Sequence, residues 1–123
     1  MSKTLDLRKL IQERLLTVCS NVFYETAPND KVYPHIVWNL ERIDLGDIYR
    51  DDLMIDIDLW DRGPDAKRIE TMADGIEALF NSENLPQNTI LPTFWRSTRK
   101  NVPDEDKKIK HRYINLYCEN YER

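Results

Sequence analysis

Leu53, Ile55, Ile57 and Leu59 alternate with Met54, Asp56, Asp58 and Trp60. That period predicts a strand over Leu53–Asp61, because successive side chains of a strand point to opposite faces. One face is apolar enough for a core. The other carries two carboxylates and must be partly wet. At Gly63-Pro64-Asp65 the period changes. Ala66, Ile69, Met72, Ala73, Ile76, Leu79 and Phe80 fall on one helical stripe. Proline near the first turn and an acid beside the positive helix end suit a start at Gly63-Pro64-Asp65.

Upstream, a helix is predicted from Thr4 to about Cys19. Leu7, Leu10, Ile11, Leu15 and Val18 share one stripe, while Leu5, Leu16 and Cys19 fall on the opposite side. A surface helix needs one apolar face only, so the second calls for a cover, from this chain or from another subunit. Val22–Glu25 reads as a short strand and Ala27–Lys31 as a turn. Tyr33–Ile43 reads as a strand with Pro34 at its first position, where proline's missing donor costs least. Leu45–Asp52 is polar and acidic and reads as a loop. After the second helix, Asn81–Asn88 ends the stripe. Thr89–Arg99 and Ile109–Tyr121 are strand candidates joined by a charged loop, Lys100–Lys108. The order α-β-β-β-α-β-β predicts an α+β fold: a single domain over residues 1–123, with a mainly antiparallel sheet carrying two helices.

Composition narrows the function classes. With 123 residues the chain can bury one core without staples. A net charge of −4 gives no overall attraction to nucleic acid or an anionic membrane. Cys19 and Cys118, far apart in sequence, fit buried thiols in a reducing compartment better than a disulfide framework or a zinc pattern. No apolar run reaches the ~18 residues of a membrane span, and the start does not resemble a signal peptide. The expected compartment is a cytoplasm.

The search for chemistry yields no catalytic constellation. His35 and His111 have no Ser, Cys or carboxylate at motif spacing and read as structural or surface residues. Three glycines in the whole chain argue against a phosphate-cradling loop. Among the acids Asp44, Asp47, Asp51, Asp52, Asp56, Asp58 and Asp61, the pair Asp56 and Asp58 shares a strand face and has the spacing to hold a divalent ion. A metal-dependent nuclease would also need a lysine beside them, and Asp65-Ala-Lys67 lies at a helix start instead. A solvated or interface-facing acidic surface is the simpler reading. Arg96, Arg99, Lys100, Lys107, Lys108, Lys110 and Arg112 cluster around the last hairpin. With Trp95, Tyr113 and Tyr117 they suggest phosphate contacts and base stacking, against which Asp104, Glu105 and Asp106 would repel phosphate. An acidic first half and a basic end also suit contact between copies, and head-to-tail contacts close into rings when the rotation permits. The candidate subunit-interface or lumen residues are therefore Leu5, Leu16, Asp56, Asp58, Arg96, Arg99, Lys100, Lys107, Lys108, Lys110 and Arg112. No catalytic, cofactor or metal residue is assigned.

Taken in order, the opening helix, Tyr33-Pro34-His35-Ile36-Val37, Ile55-Asp-Ile-Asp-Leu-Trp60, the helix with Ala66, Ile69, Ala73, Ile76 and Leu79, the arginine-bearing strand, the Asp104-Glu-Asp106 loop and His111-Arg112-Tyr113 form a recognisable series. The chain resembles the tail-component family of long-tailed bacteriophages and prophages, whose members are tail-completion, tail-terminator or tail-to-head joining proteins. The resemblance covers nearly the whole length. It implies a non-enzymatic structural subunit that forms a homo-oligomeric ring, commonly a hexamer, at the head-proximal end of the tail tube. Such a ring stops tube growth and docks the head connector, with DNA only as passing cargo, no cofactor and no membrane. The implied location is the virion tail, after assembly in the bacterial host cytoplasm. The acidic Leu45–Asp52 loop and the scarcity of glycine depart from the family's usual pattern.

Overall fold

The structure, a computed structural model, describes residues 3–44, 50–80 and 90–122. Its elements are α1 (Lys3–Leu16), β1 (Val22–Tyr24), β2 (His35–Asp44), β3 (Arg50–Arg62), α2 (Lys67–Leu79), β4 (Ile90–Val102) and β5 (Ile109–Glu122). This is the expected order and the expected α+β class. The strands form one five-stranded sheet in the order β1-β2-β3-β5-β4. All neighbours are antiparallel except β1, which pairs parallel to β2 in the register Val22↔Ile36.

The register sorts the side chains into two faces. Ile36, Leu59 and Arg112 sit in one row, and Trp38, Ile57 and Ile114 in the next row of the same face. Both helices cover this side. Leu7, Leu10, Ile11 and Leu15 of α1 and Ile69, Met72, Ala73 and Ile76 of α2 join the β3 aliphatics in one core. Each such leucine, isoleucine or methionine, once buried, contributes about 1.5–3 kcal/mol of transfer free energy. His35, Trp60 and His111 form a row of the opposite face, which neither described helix covers.

Several boundaries differ from the sequence reading. Helix α1 stops at Leu16, where Thr17 donates to the Arg14 carbonyl through both its backbone N–H and its hydroxyl. Cys19 lies past that end and packs in the core, so it does not share the outward side with Leu5 and Leu16, which are 59% and 46% exposed. Strand β2 opens at His35, directly after a cis Tyr33–Pro34 bond. Arg50, Asp51 and Asp52, expected in a loop, already belong to β3, and residues 45–49 lie outside the described residues. Strand β4 continues to Val102, so the last connection is shorter than Lys100–Lys108. Helix α2 begins at Lys67, whose N–H is taken by the Asp65 carboxylate at 3.0 Å, so Gly63 and Pro64 belong to the approach and not to the first turn. The predicted helix stop Asn81–Asn88, together with Thr89, lies outside the described residues.

Candidate functional site

Three strands bring the aromatic and acidic positions of the uncovered face into one patch. His35, Trp60 and His111 are direct cross-strand neighbours. Trp60 stacks on His111 with ring centroids 3.7 Å apart and 16° between planes, and His35 continues the stack at 6.3 Å. Tyr33 closes the row, 5.0 Å from His35. The His35 ring is buried and lies 3.1 Å from the Val32 carbonyl through Nδ1, which must therefore carry the proton and donate it. Burial lowers the His35 pKa, so the imidazole is neutral near pH 7. Beside the stack opens a groove of about 490 Å³ lined by Tyr33, Val37, Asp58, Trp60 and His111 among others.

The two carboxylates of the alternating strand are each engaged within the chain. Asp58 meets His111 Nε2 at 2.7 Å. Asp56 accepts from the Tyr113 hydroxyl and, at 2.9 Å, from the Asn115 amide. Burial and then the Asp56 hydrogen bond push the Tyr113 pKa up to about 12, so it stays a donor at any physiological pH. The Lys100 ammonium lies 5.3 Å from the Tyr113 ring centroid, within the range of a cation–π contact. Toward the β4 edge Trp95 leans on Tyr117, centroids 5.7 Å apart.

The basic hairpin does not form a single surface. Arg99 and Arg112 point to the helix side. Arg99 meets Glu70, Asp74 and Glu77 of α2 at 2.6–2.7 Å, and Arg112 binds the other Glu70 oxygen. The Arg112 hydrogen bond, ahead of the nearby Arg99 charge, holds the Glu70 carboxyl below the usual carboxylate range. Lys100 is on the opposite face, Lys107 and Lys108 are exposed at the hairpin tip, and the Lys110 ammonium donates to the Lys107 carbonyl at 2.6 Å. The Arg96 side chain lies outside the described residues. The positive charge needed for a continuous phosphate track is thus divided between two faces and a tip.

The acids are likewise dispersed. Asp51 is bridged by Lys3 and Arg42, Asp52 by Arg50, and Asp61 by Arg68 at 2.5 Å. Burial raises the Asp61 pKa, but the Arg68 and Arg62 hydrogen bonds outweigh it and the net shift is downward. Asp47 and the Asp44 side chain lie outside the described residues. Among the described residues no three His, Cys, Asp or Glu side chains converge on a possible cation position. Also among these, no helix is long and apolar enough to cross a membrane.

Sequence reasoning missed two groupings. One is the His35–Trp60–His111 stack. It follows only from cross-strand register, which sequence spacing does not give. The other is the binding of the hairpin arginines by α2. Its signal was present: Arg112 alternates with Ile114, Leu116 and Cys118 on the core side, and Glu70, Asp74 and Glu77 repeat at helical spacing.

No protein-family model and no curated protein sequence matches the chain. Its fold does recur among solved structures. A chain described as part of the virion of a native gene transfer agent particle superimposes with a TM-score of 0.69, at 10% identity, covering 92% of each chain. A second solved structure is similar at a TM-score of 0.61 and 12% identity, covering 94% of this chain and 96% of that one. At these identities the likeness establishes a shared fold.

Proposed function

We propose that the protein is a structural subunit of a phage-like tail. It forms a homo-oligomeric ring, a hexamer by the family resemblance, at the head-proximal end of the tube, where it ends tube growth and joins tail to head. The observation that carries this reading is the end-to-end fold match with a chain of a gene transfer agent virion. It coincides with the ordered series of sequence pieces, from the opening helix to His111-Arg112-Tyr113, that resembles phage tail components. The partners are further copies of the chain, the tail-tube protein and the head connector. The work is done by surfaces, without catalysis or cofactor.

The site geometry supports a role for the uncovered face as wall. Asp56 and Asp58 stand at its centre, each already hydrogen-bonded within the subunit. A wall of this kind presents carboxylates to passing DNA, while its cations Lys100 and Arg50 lie against the Tyr113 ring and Glu119.

Deleting the gene from a particle-producing host tests the reading. The expected products are heads without tails and tubes of irregular length. Antibody-gold labelling of normal particles should mark the head–tail junction. Normal particles from the deletion strain, or label elsewhere on the virion, would overturn it.

A further inference from the structure

We propose that a second copy of this chain binds head to tail, an aromatic hollow on β4 and β5 of one copy seating on a basic-rimmed groove beside α1 of the next. The proposal rests on the ring reading above and names the surfaces that make the ring.

The groove lies on the helix side, at the β1–β2 edge. Leu5, Arg8, Lys9 and Gln12 line it from α1, with Tyr24 and Trp38 as its floor, around a volume of about 380 Å³. Leu16 continues the same helical stripe, and both leucines are exposed. The floor is rigid. Gln12 accepts from the Trp38 indole N–H at 2.8 Å and donates to the Val22 carbonyl at 3.1 Å. The rim is cationic: the Arg8 guanidinium sits 3.8 Å from the Tyr24 ring centroid, with Lys9 next to it in sequence.

The hollow lies on the uncovered side, at the β4 edge. Leu91, Thr93, Trp95, Glu119 and Tyr121 line a volume of about 430 Å³. Trp95 and Tyr121 are 38% and 37% exposed, and rings of these types are enriched at protein interfaces. They are nevertheless held in place. Trp95 leans on Tyr117, and Arg50, the direct cross-strand neighbour of Tyr121, bridges Glu119 at 2.9 Å.

The two surfaces are chemically complementary. One offers two cations over an apolar, aromatic floor. The other offers two aromatic rings, beside a carboxylate that Arg50 already bridges. Arginine and lysine are attracted to aromatic faces, and arginine, tryptophan and tyrosine dominate the anchoring positions of protein interfaces. Their positions fix the symmetry. Because they occupy opposite edges and opposite faces of the sheet, the contact is heterologous, and each bound copy still presents its other surface to a further copy, a ring closing where the rotation permits.

The test uses the whole chain in sedimentation velocity, with Leu5→Asp to spoil the groove and Trp95→Ser to spoil the hollow. Both positions are exposed, and circular dichroism confirms that each variant is folded. The wild type should assemble beyond a dimer. Each variant alone should stay monomeric, with association weakened about tenfold or more, as for loss of an interface anchor. An equimolar mixture should form dimers and stop there, because only one intact junction remains. Dimers from either variant alone would indicate a symmetric contact and overturn the proposal. So would wild-type-like assembly of both variants, or a wild type that stays monomeric at its highest soluble concentration. Assembly that follows the expected pattern in a protein absent from tails would remove the tail function and leave this contact standing. A tail-borne protein that assembles regardless of Trp95 would do the reverse.

Discussion

On the helix side of β3, Leu53, Ile55, Ile57 and Leu59 are sealed from solvent; one residue along in each case, Met54, Asp56, Asp58 and Trp60 are only half-buried on the other side. The same backbone serves both. The helix side is held by aliphatic packing, with arginine–carboxylate pairs at its margin. The uncovered side has stacked rings and carboxylates that neighbouring strands already hydrogen-bond. The difference teaches where rigidity comes from when no layer covers a sheet. Groups that stay wet are fixed by side-chain hydrogen bonds and ring stacking, each modest in water, and not by exclusion of solvent.

The comparison breaks most sharply at Ile57. Ile57→Ala should cost about 2–5 kcal/mol in urea denaturation, the range for a fully buried aliphatic truncation. A loss no greater than that of the Trp60 truncation below would mean that the helix side does not dominate stability. Next comes the margin. Glu70→Gln weakens the partner of Arg112 and, with solvent screening of a side chain that is 42% exposed, should cost about 1–2 kcal/mol. Because the folded Glu70 pKa lies below its unfolded value, the stability it contributes is complete above the ordinary carboxylate pKa of about 4.3 and is lost as the pH falls through the lowered folded value. The wild type should therefore lose urea resistance in that acidic window more steeply than Glu70→Gln; parallel curves would remove Glu70 from the acid response.

On the uncovered side, Trp60→Ala removes a larger side chain than Ile57 has but should cost less, about 1–2 kcal/mol, since the ring is half-wet and its stacking is worth only part of that. The His111 ring resonances in NMR should shift downfield as the indole's shielding disappears; unchanged resonances would deny the stack in solution. The smallest effect expected is for Asp58→Asn, about 0.5–1 kcal/mol, from one exchanged hydrogen bond. Its signature is local: the His111 ring resonances should shift at fixed pH while the melting temperature barely changes. A large loss of stability would show that the carboxylate matters to folding and not only to the face.

Much of the fold was legible because its main strand and second helix have clean periods. Leu53–Leu59 and Ile69–Phe80 each match one template, and the α-β-β-β-α-β-β order followed from them. The parallel pairing of β1 was not legible, since three residues carry no directional signal. Arg50–Asp52 and Lys100–Val102 were read as loop because polar residues at strand ends look like turn; pairing with β5 makes them strand. For the candidate site, alternation placed Asp56 and Asp58 together correctly. It did not show that Tyr113, Asn115 and His111 would hold them, nor that Arg99 and Arg112 would turn to α2, because a charged strand position does not reveal what stands opposite. The outward placement of Leu5 and Leu16 followed from helical spacing alone.

Lys3, at the start of α1, reaches Asp51, and Tyr121, near the end of β5, lies opposite Arg50. The first and last described elements therefore meet at the same corner of β3. A short bridge could splice the two ends, with the chain reopened at the Pro103–Lys108 tip, to give a circular permutant of unchanged layout. An affinity tag inserted at the Pro103–Lys108 tip would hang clear of that corner.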